Sequence, residues 1–325
     1  MAIGSGLGAS WGHVDESVYG TYVAPSRWLP GTSFNIKPEI TREDVWGLAS
    51  GRMAPSSAVV TGRRGTGNWS GQVPSTKFGL MLKHLMGTAP TPAQQAATAA
   101  YLQAFTWADN YGKFFTAQVA APLTTGTNVV YSGTGGKVLS AEFSSDVNGI
   151  LNANVDMAFQ NVVDSQALAS PSYVAYVPMN RLTVKLGSYG SEAAITGVRS
   201  ASIRIERAQD VERPAAPGAS PEPIMNGMVA VTGTITADFE NKTYFSDRVL
   251  TEASTSLVLE WTNDTVIAST YYPMLRFRCP QVRFMETVPE IGGPEILQAS
   301  VAFTAYQDVT NGLVLADYMS TDTTL

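Results

Sequence analysis

The stretch "LNANVDMAFQ", residues 151–160, alternates, with Ala158 the one apolar residue on the polar parity. Leu151, Ala153, Val155, Met157 and Phe159 hold one parity, and Asn152, Asn154, Asp156 and Gln160 the other. Successive strand side chains point to opposite faces, so this pattern predicts a strand with one apolar and one wet face. "LQASVAFTAY", residues 297–306, has the same form. Leu297, Ala299, Val301 and Phe303 oppose Gln298, Ser300 and Thr304. A one-residue slip reverses every side chain, so two stretches agreeing in face outweigh either alone. Leu151, Phe159, Leu297 and Phe303 are the expected core residues.

Outward from these stretches the chain repeats. Residues 137–164 lie over 281–308 at a constant offset of 144, with no gap and identities such as Val138/Val282, Glu142/Glu286 and Phe159/Phe303. Upstream, "VVTG" (59–62) matches "AVTG" (230–233) at an offset of 171. The alternating "SFNIKPEI" from Ser33 and "SIRIERAQ" from Ser202 precede them. The offsets differ by 27 residues, so the first copy carries an extra segment, "TAPTPAQQAATAAYLQAF", residues 88–105. Self-similarity over long units points to duplication. The expected units are 1–163, with an N-terminal arm and the extra segment, and 164–325.

The glycine-rich "AVVTGRRGTGNWSG" (58–71) poses a choice between a phosphate loop and a strand. A phosphate loop needs G-x-x-x-x-G-K-[ST], or G-x-G-x-x-G opening a helix, and neither spacing is present. The second copy, "VAVTGTITADFEN", alternates as a strand does, so the first copy reads as a strand distorted by glycines.

Further strands are expected at 113–119, 138–143, 182–186, 202–206, 257–261 and 275–284. Helix signals are few. "STKFGLMLKHLMG" (75–87) places Phe78, Leu82, Leu85 and Met86 on one stripe, with Ser75 as cap and Gly87 as stop. Residues 93–105 offer a possible second helix. The class is mainly β, with about one flanking helix per repeat. Two long loops, 37–57 and 207–227, hold equivalent places, which suggests arms that pack on a neighbour.

Composition narrows the function. The formal net charge is −6 and the pI about 5.0, opposite in sign to a protein that holds nucleic acid. Cys279 is the single cysteine, and His13 and His84 the only histidines. Internal disulfides and cysteine-pair zinc sites are therefore excluded. No run of about 18 apolar residues is present, and the start lacks a secretion signal, which reads as cytosolic at synthesis. "GASWG" (8–12) fits G-x-S-x-G, but a nucleophile elbow needs a strand before it and a helix after it. Asp15–Glu16 and Glu43–Asp44 are neighbours that point apart in a strand. Arg63–Arg64 reads as a solvated turn. Neither cofactor nor metal is expected, and the chain does not read as an enzyme.

The wet faces favour Asn, Gln, Ser and Thr over the Lys or Glu that usually guard an exposed sheet. Such a face suits a wall that something slides past; an ordinary solvated face is the other reading.

"VDESVYGTYVAPSRWLPGTSFNI" (14–36) resembles the N-terminal signature of tail tube proteins of long-tailed bacteriophages, chiefly at Glu16, Tyr19, Gly20 and Thr21. "VTGTITADFENKTYFSDRVL" (231–250) resembles that family's strand, acidic turn and helix. The resemblance implies two tandem β-sandwich domains whose inner strands join a ring-wide β-barrel around a channel. Three such chains make a pseudo-hexameric ring, and rings stack into a tube for genome passage. It implies self-assembly, tail terminator, distal tail and tape-measure partners, and a place in the virion tail after assembly in the host bacterial cytoplasm. DNA passes without specific binding, and no membrane is involved. Asn152, Asn154, Asp156, Gln298, Ser300 and Thr234 are then the candidates for the channel lining. If each repeat lends four strands, about 24 strands spaced about 4.8 Å and tilted about 40° give a backbone diameter of about 48 Å. Side chains leave a bore of about 38 Å, wide enough for duplex DNA. Two alternatives stand beside this. One is a two-domain β-sandwich that binds carbohydrate or a receptor through exposed Trp28, Trp46 and Trp69. The other is a hydrolase built on Ser10.

Overall fold

The computed structural model describes residues 3–45, 54–55, 57–173, 177–212, 221–240, 244–285 and 296–325. The chain builds one strand plan twice. The first half contains β1 (Ser10–Asp15), β2 (Arg27–Leu29), β3 (Ser33–Val45) and β4 (Ser57–Gln72). After α1 (Gly79–Met86) and two strands of the extra segment, β5 (Ala93–Gln94) and β6 (Tyr101–Thr106), come β7 (Phe115–Pro122), β8 (Asn128–Asp146), β9 (Asn152–Phe159) and β10 (Asn161–Val163). The second half contains β11 (Arg181–Gly187), β12 (Ala193–Ala194), β13 (Val198–Glu206), the short β14 (Gln209–Asp210) and β15 (Ile224–Met225), and β16 (Ala230–Asp238). There follow α2 (Ser246–Leu250), β17 (Thr255–Thr262), β18 (Met274–Met285), β19 (Gln298–Ala305) and β20 (Leu315–Ser320).

Antiparallel pairing makes the repetition explicit. One sheet of the first half runs β2–β1–β7–β8–β10, and its counterpart runs β12–β11–β17–β18–β20. The other runs β3–β4–β9–β8, with the counterpart β13–β16–β19–β18. The long strands β8 and β18 each serve both sheets of their half, which is how each sandwich is stitched. β13 also pairs with β8. The two four-stranded sheets thereby fuse into one eight-stranded sheet in the order β3–β4–β9–β8–β13–β16–β19–β18.

The register corrects the sequence alignment. Phe159 lies opposite Gly65, and Phe303 opposite Gly233. Gly233 therefore corresponds to Gly65 and not to Gly62, a slip of three positions that would reverse the faces. The "VVTG" match falls in the part of the 16-residue β4 that runs on past its partner β9. Pro38 pairs with Gly65 and Ile203 with Gly233, so Pro38 corresponds to Ile203, and Ser33 does not correspond to Ser202. Downstream, Val138 lies opposite Met157, but Val282 lies opposite Ala305 and not Val301, as a gapless match requires. That slip is four positions, an even number, so both valines stay buried.

The glycines of 58–71 now have a physical reason. A Cβ on Gly67 would lie 2.7 Å from Phe159 Cε2, and one on Gly233 would lie 2.5 Å from Phe303 Cζ. At each position a side chain would collide with an aromatic ring of the next strand.

Two helix expectations change. α1 begins at Gly79, behind Phe78, with no side-chain cap; Ser75 Oγ instead accepts the Val177 N–H at 3.1 Å. Gly87 does end the helix, at a φ of 80° with its N–H on Lys83 O. Residues 93–105 form no helix. Ala96 and Ala97 take positive φ (45° and 55°), and β6 pairs with β20. Gln103 and Phe105 are buried at a spacing of two, a strand pattern that the alanine-rich composition concealed. The extra segment of the first half thus extends a sheet of the second.

Leu151, Phe159 and Phe303 are buried in the core. Leu297 is only partly buried, because β19 starts one residue later and Leu297 uses its carbonyl to accept the Phe239 N–H. The core runs through both halves: Phe143 and Phe277 have ring centroids 4.8 Å apart, and Trp261 Nε1 donates to Ser145 Oγ at 2.7 Å.

Candidate channel-lining face

One face of the eight-stranded sheet is mostly polar, with Ala302 and Met285 among the exceptions. Residues directly opposite each other on neighbouring strands share a face, so the pairings trace rows across both halves. One row runs Ser33, Ser70, Asn154, Glu142, Arg204, Thr232, Thr304 and Arg283. The next runs Gln72, Asn152, Ser144, Ser202, Thr234 and Ala302. A third contains Asp146, Ser200, Thr236 and Ser300, and Asp238 lies opposite Gln298 beyond it. The six residues expected on a channel wall, Asn152, Asn154, Asp156, Gln298, Ser300 and Thr234, therefore lie on a single surface drawn from both repeats.

Short side chains cross-link that surface. Asn68 Nδ2 donates to Asn154 Oδ1 at 2.7 Å and to Asp156 Oδ1 at 2.9 Å. Ser70 Oγ donates to Asn154 Oδ1 at 2.7 Å, and Ser140 Oγ to Asp156 Oδ2 at 2.9 Å. The sequence reading stressed Asn, Gln, Ser and Thr on this face, and the structure adds charges to it. Glu142, Asp146, Glu206 and Asp238 share it with Arg204 and Arg283. Arg204 lies 4.0 Å from Glu142 and 3.4 Å from Glu206. These charges fall on β8, β13, β16 and β18, whose faces join those of the first half only through the β8–β13 pairing. The alternation in "KVLSAEFSSD" and "SIRIE" was the available signal.

The opposite face supports this one. Leu151 just before β9, Ala153, Val155, Met157 and Phe159 of β9, and Ala299, Val301 and Phe303 of β19 point into the core. A duplicated sandwich thus presents a single continuous wall, eight strands wide, with only its polar side to solvent. The family profile described as phage tail tube protein matches residues 6–305.

The chain belongs to the phage tail tube protein family. No curated protein matches it. Membership makes it a structural component of the phage tail that self-assembles into a tube together with other tail proteins.

The residues that carry the tail tube signature have definite work. The Glu16 carboxylate accepts the Gly20 N–H at 3.0 Å, the Thr116 hydroxyl at 2.6 Å and the Gly135 N–H at 2.9 Å. Burial raises its pKa against the pull of these donors. Gly20 has a φ of 75°, and a Cβ there would meet Gln160 Oε1. Tyr19 stacks edge-on to Phe114 with centroids 5.3 Å apart, and its hydroxyl donates to Pro221 O at 3.3 Å.

That last contact belongs to the 207–227 loop, whose residues 213–220 lie outside the described residues. The flanks that are described lie on the first half of the same chain. Arg207 Nε donates to Leu85 O at 2.6 Å and Nη2 to Ala108 O at 2.8 Å, with the guanidinium 3.9 Å above the Trp107 ring. Lys137 Nζ, fully buried, pairs with Glu222 and donates to Asn110 O at 2.6 Å. The equivalent 37–57 loop is a β-hairpin arm. β3 and β4 pair all the way to Val45 and Ser57, with the outer residues exposed. Residues 46–53 and 56, Trp46 among them, lie outside the described residues.

Other candidates dissolve. Trp28 and Trp69, proposed as exposed sugar-binding rings, are 2% and 0% exposed. Ser10 is buried within β1 opposite Ala120, so "GASWG" continues as strand where an elbow needs a helix. His84 is buried with Nε2 3.2 Å from Asp15 Oδ1. Arg64 is bound by Glu39 at 2.5 Å and Glu212 at 2.9 Å. Among the described residues no cluster of three or more His, Cys, Asp and Glu could hold a metal, and no helix is long and apolar enough to cross a membrane.

Proposed function

We propose that three copies close into a ring in which each chain supplies two tube domains, 1–163 and 164–325, and eight inner strands. The polar face of the eight-stranded sheet lines the bore, with Asn152, Asn154, Asp156, Gln298, Ser300 and Thr234 on its surface. Rings stack, and the genome passes through. The observation that carries this reading is the β8–β13 junction, which already joins one tube domain to the next within a chain. The ring needs only the same junction between chains. β3, the counterpart of β13, has its second edge free among the described residues, and β18 is the counterpart of β8.

Eight strands per chain and three chains give about 24 strands and a backbone diameter of about 48 Å. A face rich in carboxylates and short neutral side chains offers no net cationic surface to release counterions from DNA. The duplex is confined without being held. The tail terminator, the distal tail and the tape-measure protein complete the tail, assembled in the bacterial cytoplasm.

Electron microscopy of the purified protein tests this. The expected image is a ring with threefold symmetry and a hole of about 40 Å. A particle that stays monomeric at high concentration, or a closed ring of six chains, would refute it.

A further inference from the structure

Asparagine is followed by glycine at Asn148–Gly149, Asn226–Gly227 and Asn311–Gly312. Such a pair carries a reaction of its own. The glycine main-chain nitrogen attacks the asparagine Cγ, since glycine has no side chain to bar the approach. A nitrogen–carbon bond closes a succinimide ring, and the side-chain NH2 leaves as ammonia with the proton of the attacking nitrogen. Water then opens the ring to aspartate or isoaspartate. The fold must supply two things: a glycine N–H that can give up its proton, and a side-chain amide free to turn onto it.

The three pairs differ on both counts. The Gly149 N–H donates to Asp146 O at 3.0 Å, inside the turn between β8 and β9. The Gly312 N–H donates to Asp308 O at 3.1 Å, and the Asn311 amide is held as well, its Nδ2 donating to Asp308 Oδ1 at 3.0 Å. A hydrogen-bonded N–H reacts only after that bond opens. At the third pair, neither the Gly227 N–H nor the Asn226 side-chain amide has a hydrogen-bond partner among the described residues. Asn226 is tied only through its main-chain N–H, which donates to Ala208 O at 2.9 Å. Asn226, Gly227 and Met228 are all exposed, so water reaches the ring.

The path of the chain also accommodates the product. Asn226 is bonded to Ala208, and Ala230 of β16 lies opposite Glu206. Residues 227–229 therefore bow out between two fixed pairings, against the single Arg207 on the facing strand, and Met228 at the bow is 95% exposed. Isoaspartate adds one methylene to the main chain at that bow, outside any strand ladder.

We propose that Asn226 is a deamidation site of this protein, left free to react by a fold that restrains Asn148 and Asn311. The reaction adds one carboxylate per chain at the base of the 207–227 loop and takes the formal net charge of −6 one unit further negative. It needs neither the ring nor the channel.

Peptide mapping of the full-length protein tests this. Arg181 and Arg283 lie between the three asparagines, so trypsin puts each on a separate peptide. The protein is aged in warm, mildly alkaline buffer, and the exchange of NH2 for OH is read by mass. In the native protein the Asn226 peptide should convert about tenfold or more faster than those of Asn148 and Asn311. In urea, where no fold distinguishes them, the three rates should come together. Equal rates in the native protein, faster conversion at Asn148 or Asn311, or no conversion at Asn226 would overturn the proposal. So would the same order of rates in urea, which would assign the difference to the flanking residues. As a second readout, Asn226→Gln, which must close a larger and less favourable ring, should remove most of the acidic shift of aged protein on isoelectric focusing. An undiminished shift in that variant would place the reaction elsewhere.

Discussion

Lys137 of β8 and Glu222 of the second half form an ion pair in which the lysine side chain has no solvent exposure and the glutamate 11%. Burial lowers the lysine pKa, opposed by the Glu222 carboxylate. Removing one partner strands a buried charge, which costs about 3–5 kcal/mol. Glu222→Ala should therefore lower the unfolding free energy by about that amount in denaturant titration. Lys137→Met combined with Glu222→Leu should recover most of it. A single variant as stable as wild type would show that the pair is not buried in solution.

Gly233 lies under the Phe303 ring, and a Cβ there would also meet Ser202 O at 2.1 Å, a backbone atom that cannot turn aside. Gly233→Ala should cost about 1–3 kcal/mol or more by overpacking. Phe159→Ala, which empties the matching site of the first half, should cost about 3–5 kcal/mol. Thermal melts read both, and a neutral Gly233→Ala would argue against the register of β16 and β19.

His13 and His84 are both fully buried, and burial lowers the pKa of each. The unfolded chain, with histidines near about 6.5, then binds more protons than the folded one. Stability is complete above about pH 6.5 and falls as the pH drops through that value. Asp15, whose pKa is lowered by hydrogen bonds and ion pairing with His84 and Lys83 against its own desolvation, adds a loss at still lower pH. Melting temperature should decline from pH 7 to pH 5, and His13→Leu should flatten the decline. A profile that rises toward pH 5 would contradict the burial.

The polar face makes a prediction about DNA. Asn154→Lys with Ser300→Lys adds two cations per chain to one surface. Assembled tubes of this variant should bind duplex DNA with an affinity that falls steeply with salt, whereas wild-type tubes should not bind it in about 0.15 M salt. Equal behaviour of the two in a filter-binding assay would place that face away from the bore.

The sequence made the repeated strands legible because a period of two survives wherever one face is buried: residues 151–160 and 297–306 show it, broken only by small alanines at 158 and 302. It left the register illegible. A pleat repeats every two residues, so Val282 could move four places along β19 and remain buried. Only the contacts of Phe159 with Gly65 and of Phe303 with Gly233 fix the alignment, and these join strands far apart in sequence. β6 was hidden for a different reason. Its alanine-rich approach favours helix locally, and pairing with β20 overrides that preference. The charges of the polar face were visible one by one, but nothing local says that Glu142 and Arg204 become neighbours.

The pairing of β6 with β20 sets an order of events for the newborn protein. Tyr101 lies opposite Ser320, so the strand edge made early waits for a strand made more than two hundred residues later. Closing so long a loop is slow. A chain stopped before β20 leaves open the β6 edge that β20 covers in the fold.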